Sequence, residues 1–422
     1  GLLTDQYELT MVDAALRSGA ANRRCVFEVF ARSLPGRRRY AVVAGLGRLL
    51  EALPAFGFDP GALDFLSGRG VIDDATRSWL ADYRFSGTVE AYAEGEVYFP
   101  GSPVLTVEGG FAECVVLETL VLSILNHDSA VATAAARMTS AADGRPCIEM
   151  GSRRTHEQAA IASARAAYIG GFIATSNLAA GRRWDIPTTG TAAHAFTLVH
   201  DSELDAFRAQ VEALGKSTTL LVDTYDVEAG IRNAVEIAGP ELGAIRLDSG
   251  DLPTQARDAR RLLDALGAHQ TRIVVTSDLD EYAIAGLASA PVDGYGVGTS
   301  LVTGSGAPTA GFVYKLVSRE DESGSWVNVE KRSPGKVSAG GRKHATRRLL
   351  DGIATAEVLR LAPAPPGTAE RTLQQRVVRD GEVLAIPTVE DARGRCRHSI
   401  AELPPQAMKL SPGDPAIETI GP

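Results

Sequence analysis

A lone histidine, His194, follows the β-branched run Ile186-Pro187-Thr188-Thr189-Gly190-Thr191-Ala192-Ala193. A histidine just past the C-terminal end of a strand stands where α/β folds gather their ligands, and it suits a general base or a nucleophile that accepts a phosphoryl group. Other reactive groups recur at comparable places. The pair Arg153-Arg154, and Arg246, can clamp carboxylate or phosphate with forked donors. Asp248 and Asp251, in the run Asp248-Ser249-Gly250-Asp251, suit ribose hydroxyls or Mg²⁺, and equally a helix N-cap and a surface charge. Gly298-Thr299 offers backbone amides and a hydroxyl to a phosphate, although glycines also make tight turns. Arginine pairing with Asp248 or Asp278 to hold a barrel rim is the competing structural use.

These groups need elements to carry them. Strand-like runs at 147–150, 172–175, 186–189, 219–222, 244–247, 272–276 and 292–297 alternate with helical stretches, with 312–317 as a further β run. Strands alternating with helices mean parallel βαβ units, and the unequal spacing favours an irregular seven-stranded α/β barrel. Each of the seven runs ends in polar or glycine-rich residues: Ser152 and Arg153, Ser176-Asn177, His194, Asp223-Thr224-Tyr225, Asp248-Ser249, Ser277-Asp278, and Gly298-Thr299-Ser300. Seven such endings make a functional barrel mouth. A helical segment over 198–214 should come after the histidine.

The flanking segments read differently. Asp5 caps a first helix with Glu8 three residues on, as in a capping box, and Gly19 suits its exit. Residues 85–110 break into short β segments, 111–138 carries one or two packed helices, and the tail after 367 returns to short β. The basic loops 331–336 and 340–343 hold Lys336 and Lys343, which are either ATP-phosphate contacts or solvated charges.

Composition narrows the class. The 422 residues are 45% hydrophobic and 23% charged, as in ordinary globular proteins, and a formal net charge of −9 disfavours nucleic acid. The four cysteines have no paired spacing, which argues against disulfides and a zinc site. No basic-then-apolar leader opens the chain and no apolar run nears roughly 20 residues. A cytoplasmic protein without membrane contact is therefore expected. Nor is there a Ser-His-Asp spacing, a catalytic cysteine context or a two-histidine metal pair.

Ordered motifs then carry a resemblance along nearly the whole chain. They are Leu3-Thr4-Asp5-Gln6-Tyr7-Glu8-Leu9-Thr10-Met11, Phe27-Glu28-Val29-Phe30, Val107-Glu108-Gly109, Leu117-Glu118-Thr119, Gly190-Thr191-Ala192-Ala193-His194, Ile245-Arg246-Leu247-Asp248-Ser249-Gly250-Asp251-Leu252, Gly296-Val297-Gly298-Thr299 and Tyr314-Lys315-Leu316-Val317. The chain resembles the nicotinate phosphoribosyltransferases, of the type II phosphoribosyltransferase fold. That resemblance implies an α/β barrel over 116–334 and an α+β domain built from 1–115 with 335–422. It implies coupling of nicotinate to phosphoribosyl pyrophosphate in NAD biosynthesis, driven by ATP through a phosphohistidine at His194, with Mg²⁺ carried on the substrate phosphates and Asp248 or Asp251 as its only protein contacts. By the same resemblance Arg246 and Asp248 hold the phosphoribosyl and pyridine groups and Arg153 stands by the ring. Ser277, Asp278, Gly298 and Thr299 take the 5′-phosphate and ribose, with Ser249 beside them, and Tyr7 is an aromatic lid from the partner subunit of a homodimer.

Two positions depart from, or decide within, that pattern. Ala195 stands where related chains often carry Ser or Glu, which leaves open what orients His194. Asn177 stands where nicotinamide-using relatives place an aspartate, and a neutral Ser176-Asn177 pair beside Arg153 suits an anionic ring. The alternatives are the same fold acting on nicotinamide, and a non-catalytic barrel that binds phosphoribosyl compounds.

Overall fold

The computed structural model describes residues 1–331, 339–363 and 365–422, so Lys336 and most of the basic loop 331–336 lie outside the described residues. The chain forms two units, Ala134–Gly306 and the pair of segments Gly1–Thr133 and Ala307–Pro422. The sequence places these divisions at 115/116 and 334/335. The contacts put the first inside the helix Glu118–Ala141 and the second before the strand Phe312–Glu320.

Within Ala134–Gly306 the strand and helix rhythm becomes an all-parallel six-stranded sheet. Its spatial order is Ala174–Thr175, Cys147–Glu149, Gly294–Val297, Arg272–Ser277, Ala244–Leu247, Thr219–Leu221. Parallel neighbours require a crossover, and the helices between the strands supply it. Ile245, Leu247, Ile273, Val275, Tyr295 and Val297 are fully buried, each side chain contributing ~1.5–3 kcal/mol, so the frame holding the strand ends is stiff. The run 186–189 is a correction to the seven-strand expectation. It joins the sheet by one bridge, Thr175 to Thr188, with the Thr175 amide donating to the Pro187 carbonyl at 3.0 Å. Pro187 has no N–H to extend a ladder, and Gly190 follows at once. The architecture remains an irregular α/β barrel.

The segment 198–214 is also not one helix. His194–Leu198 ends, and Glu203–Leu214 starts afresh with Ser202 as N-cap, its Oγ accepting from the Asp205 amide at 3.2 Å. Asp201-Ser202 favours a cap over a helix interior.

The other unit is an α+β body. Its seven-stranded sheet runs Trp326–Asn328, Phe312–Glu320, Arg24–Ala31, Leu105–Gly110, Thr88–Tyr92, Gln374–Arg379, Glu382–Val383, every pair antiparallel. The tail thus pairs with the N-terminal part of the chain. A four-stranded sheet contains His344–Leu350 and Ile353–Arg360. The first helix, Gln6–Ser18, exits through Gly19 at φ 76°, but Asp5 makes no side-chain cap. Glu8 instead points inward, accepting from the Thr4 hydroxyl and from the Thr119 amide at 2.9 Å. Burial of Glu8 against Thr119 won over the capping box.

One expectation about apolar length fails. The helical stretch 111–141 is long and apolar enough by length and composition to cross a membrane, though 61% of its most apolar window is buried, as in a core helix. The four cysteines are buried and free.

Candidate functional site

His194 is the first residue of its short helix, placed there by the turn after the bridged 188 position. Its Nδ1 lies 3.1 Å from the Thr224 hydroxyl and its Nε2 3.8 Å from Asp248 Oδ2. Thr224 follows the strand Thr219–Leu221, and Asp248 directly follows the neighbouring strand Ala244–Leu247. The imidazole is therefore bracketed by two adjacent strand ends. A hydroxyl can donate or accept, so Thr224 holds either tautomer, and a lone pair can be presented on either ring nitrogen. The orienting side chain that Ala195 left open is thus Thr224.

Arg246 and the acids around it form the second layer. Arg246 Nη1 donates to the Thr191 hydroxyl, and Asp248 Oδ1 accepts from the Thr276 hydroxyl. The arginine is not ion-paired to Asp248 or Asp278 among the described residues, so the rim-holding use is not the one observed. Asp223 Oδ2 accepts from the Asp248 amide and from Ser249 Oγ, each at 2.9 Å. Asp223 Oδ1 and Arg246 Nε are buried without a partner among the described residues. Burial lowers the Arg246 pKa, Asp248 and Asp223 counter it, and the charge of Arg153 lowers it further. A buried fork with an unused donor beside an unused carboxylate oxygen is suited to a ligand that carries both acceptors and hydroxyls.

Arg153, Ser249, Ser277, Asp278 and Thr299 are exposed, with the Ser249 hydroxyl proton already given to Asp223. Asn177 is committed. Its Oδ1 accepts from the Ala180 amide at 2.9 Å as N-cap of Leu178–Trp184, and its Nδ2 donates to Ser152 Oγ at 3.0 Å. It stays neutral beside the Arg153 loop. Gly151 has to be glycine: a Cβ there would stand 2.2 Å from Val302 Cγ1. Gly298 is the N-cap of a single turn, Thr299–Val302.

Asp251 caps the helix Leu252–Ala265, accepting from the Thr254 amide at 3.4 Å, which is its plain structural use. Among the described residues no three His, Cys, Asp or Glu side chains gather as a metal site. With one Asp248 oxygen held by Thr276 and Asp251 spent on a cap, the donor set does not fit a resident Mg²⁺.

Two candidates lie in the other unit. Tyr7 is 47% exposed on the first helix, and burial followed by the Glu118 carboxylate pushes its pKa well up. Lys343 corrects both of its readings. It is 6% exposed, with Nζ 2.9 Å from Glu28 Oε2, 2.8 Å from the Ala339 carbonyl and 3.0 Å from the Gly341 carbonyl. All three donors are used, leaving none for ATP and no solvated charge.

The structure therefore brings His194, Arg246 and Asp248 together. Asp223, Thr224, Thr191 and Thr276 complete the cluster, and Glu149 with Thr175 lies below the Arg153 and Asn177 loops. Asp223-Thr224 had a legible signal, since both follow a strand. Glu149 and Thr175 had none, sitting inside runs that read as buried strand.

The chain is similar to known proteins in both sequence and fold. Residues 2–126 match the family model for the nicotinate phosphoribosyltransferase (NAPRTase) N-terminal domain. The Mycobacterium tuberculosis nicotinate phosphoribosyltransferase pncB1 is 60% identical over 430 residues, spanning 99% of this chain and 94% of the relative. The Bacillus subtilis nicotinate phosphoribosyltransferase is 39% identical, over 82% of this chain and 72% of the relative. The crystal structure of human nicotinic acid phosphoribosyltransferase superposes with a TM-score of 0.84 at 27% identity, covering 98% of this chain and 96% of that one. With a relative of 60% identity across almost its entire length, this chain belongs to the nicotinate phosphoribosyltransferase family.

Proposed function

We propose that this protein couples nicotinate to phosphoribosyl pyrophosphate, giving nicotinate mononucleotide and pyrophosphate in NAD biosynthesis, with ATP hydrolysis driving the reaction as in an ATP-dependent ligase. The observation that carries the reading is His194 held between Thr224 and Asp248 beside the under-satisfied Arg246. An imidazole lone pair attacks the γ-phosphorus of ATP, ADP leaves, and the phosphohistidine keeps the site in its reactive form until water removes the phosphoryl group. Breaking the bond from C1′ to pyrophosphate builds positive charge on the ribose, so the site has to anchor phosphates and orient the base. Arg246 and Asp248 hold the phosphoribosyl group. Gly298, Thr299, Ser277, Asp278 and Ser249 surround its 5′-phosphate and ribose. Mg²⁺ arrives on the phosphates of the substrates.

For the base, Arg153 supplies the cation and Asn177 the neutral neighbour. An aspartate at Asn177 would repel a carboxylate ring by ~1–4 kcal/mol, depending on the local dielectric. The exposed Tyr7 suits a lid that the partner subunit of a homodimer lays over the base.

The test supplies phosphoribosyl pyrophosphate and Mg²⁺ with nicotinate or nicotinamide, with and without ATP, and follows mononucleotide. Product from nicotinate that rises with ATP is expected. His194→Ala should lower the ATP-driven rate by about 10³-fold or more with unchanged thermal unfolding. Product only from nicotinamide, or ATP-driven turnover intact in H194A, refutes the corresponding part.

A further inference from the structure

Glu149 ends the strand Cys147–Glu149, and its side chain is fully buried. One carboxylate oxygen accepts from the Gly151 amide and the other from the Thr175 hydroxyl. No basic side chain is paired with it among the described residues. A buried carboxylate held only by an amide and a hydroxyl is costly, and apolar packing would serve a plain strand end better.

The bonds around Glu149 show what it joins. Thr175, itself fully buried, ends the adjacent strand and accepts from the Asn177 amide at 2.9 Å. A chain of donors thus runs from the Asn177 amide to Thr175, on to Glu149, and the Gly151 amide closes it from the other side. Above it, Asn177 Nδ2 reaches Ser152 at 3.0 Å. The loop carrying Arg153 and the loop carrying Asn177 are therefore tied by their own side chains and by the Glu149 carboxylate, in addition to the backbone bond from the Ser176 amide to the Glu149 carbonyl at 2.9 Å. Gly151 crosses so close to the carboxylate that a Cβ would lie 3.0 Å from Glu149 Oε1.

We infer that Glu149, acting through Thr175 and Gly151, is a positioning residue that sets the spacing of the Arg153 and Asn177 loops and so determines how tightly the pyridine base is held. This rests on the reading of those two loops as the base site. Glu149 touches no substrate. Its removal should loosen the base more than it slows the chemistry.

Thr175→Val removes the hydroxyl at constant shape, Thr175→Ser keeps it, and Glu149→Gln keeps the volume. Expected for T175V and E149Q is a rise of about tenfold in the nicotinate KM, with kcat within about threefold and the phosphoribosyl pyrophosphate KM unchanged. T175S should return close to wild type, and hydrogen exchange at the Gly151 and Asn177 amides should quicken in T175V. An unchanged nicotinate KM in both variants overturns the inference. So does a fall in kcat together with a rise in both KM values and a lowered Tm, which would mean support of the fold alone. Failure of the functional reading is told apart beforehand: the wild-type protein would then make no mononucleotide from nicotinate.

Discussion

Two clusters of buried charge in this molecule are held in opposite ways. In the α+β unit, Arg347 is fully buried and meets Glu96 at 2.8 Å, Glu357 at 2.5 Å and the Val97 carbonyl at 2.6 Å. Arg371 bonds Glu96 at 2.7 and 2.8 Å and Glu402 at 2.6 Å. Charge there is matched by opposite charge, and the network ties strands to the C-terminal helix Val389–Ala401 through Ser399. In the barrel unit, Arg246 has a threonine for a partner, Asp223 keeps a bare oxygen, and Glu149 has only neutral donors. Charge matched by charge holds the Arg347 cluster together, whereas the unpartnered atoms of Arg246 and Asp223 remain for a substrate and the Glu149 carboxylate ties neighbouring loops.

Substitutions at the two arginines break this contrast most directly. Arg347→Met leaves Glu357 in the core without a cation, Glu96 still being paired with Arg371, so urea unfolding should show a loss of ~3–5 kcal/mol. A loss below ~1 kcal/mol, the size of an ordinary surface pair, would mean that the network is not holding the unit. Arg246→Ala should do the reverse, lowering kcat/KM by about 10²–10³-fold while the unfolding midpoint stays in place. If R246A instead unfolds early, Arg246 belongs with Arg347.

Smaller effects sharpen it. Thr224→Val removes one hydrogen bond to His194, worth ~1.5 kcal/mol at most, so ATP-driven turnover should fall by about tenfold with the nicotinate KM unmoved. An unaltered rate would show that Asp248 alone orients the imidazole.

The smallest effect is in pH. Burial raises the Glu149 pKa, with the Thr175 and Gly151 bonds opposing it. The folded state therefore binds a proton between the ordinary carboxylate value and the folded one, and that contribution is lost as pH rises through the window. Glutamine has no such slope, so the stability of E149Q relative to wild type should improve from about pH 4 to about pH 7. For Glu96 burial pushes up, but Arg347 and then Arg371 outweigh it and hold the pKa below the usual range. Its contribution is present above that range and lost as pH falls, so E96Q should lose least, relative to wild type, in acid. Paired denaturation curves at the two pH values check both signs.

Much of the site was legible because strand ends in parallel sheets gather ligands. His194, Arg246 and Asp248 each follow or end an apolar run, and the structure sets them side by side. The partners were not legible. Thr224 and Asp248 meet the same imidazole only because the strands Thr219–Leu221 and Ala244–Leu247 are neighbours in the sheet. Asn177 reads from the sequence only as a neighbour of the base, and the start of Leu178–Trp184 gives it the further use of a helix cap.

The sequence by itself determined the periodicity: short apolar runs, helices between them, polar residues where the runs stop, and hence a barrel whose strand ends carry polar groups. That is a matter of local chemistry, because burial and backbone geometry act over a few residues. Only the tertiary structure decided what each charge means. Lys343 reads as a loop lysine until Glu28, 315 residues away in the chain, pairs with its ammonium and the Ala339 and Gly341 carbonyls take its other donors. Glu8 reads as a helix cap until Thr119 draws it inward. A side chain's ionisation and use depend on the dielectric and the donors around it, and those are assembled by distant segments.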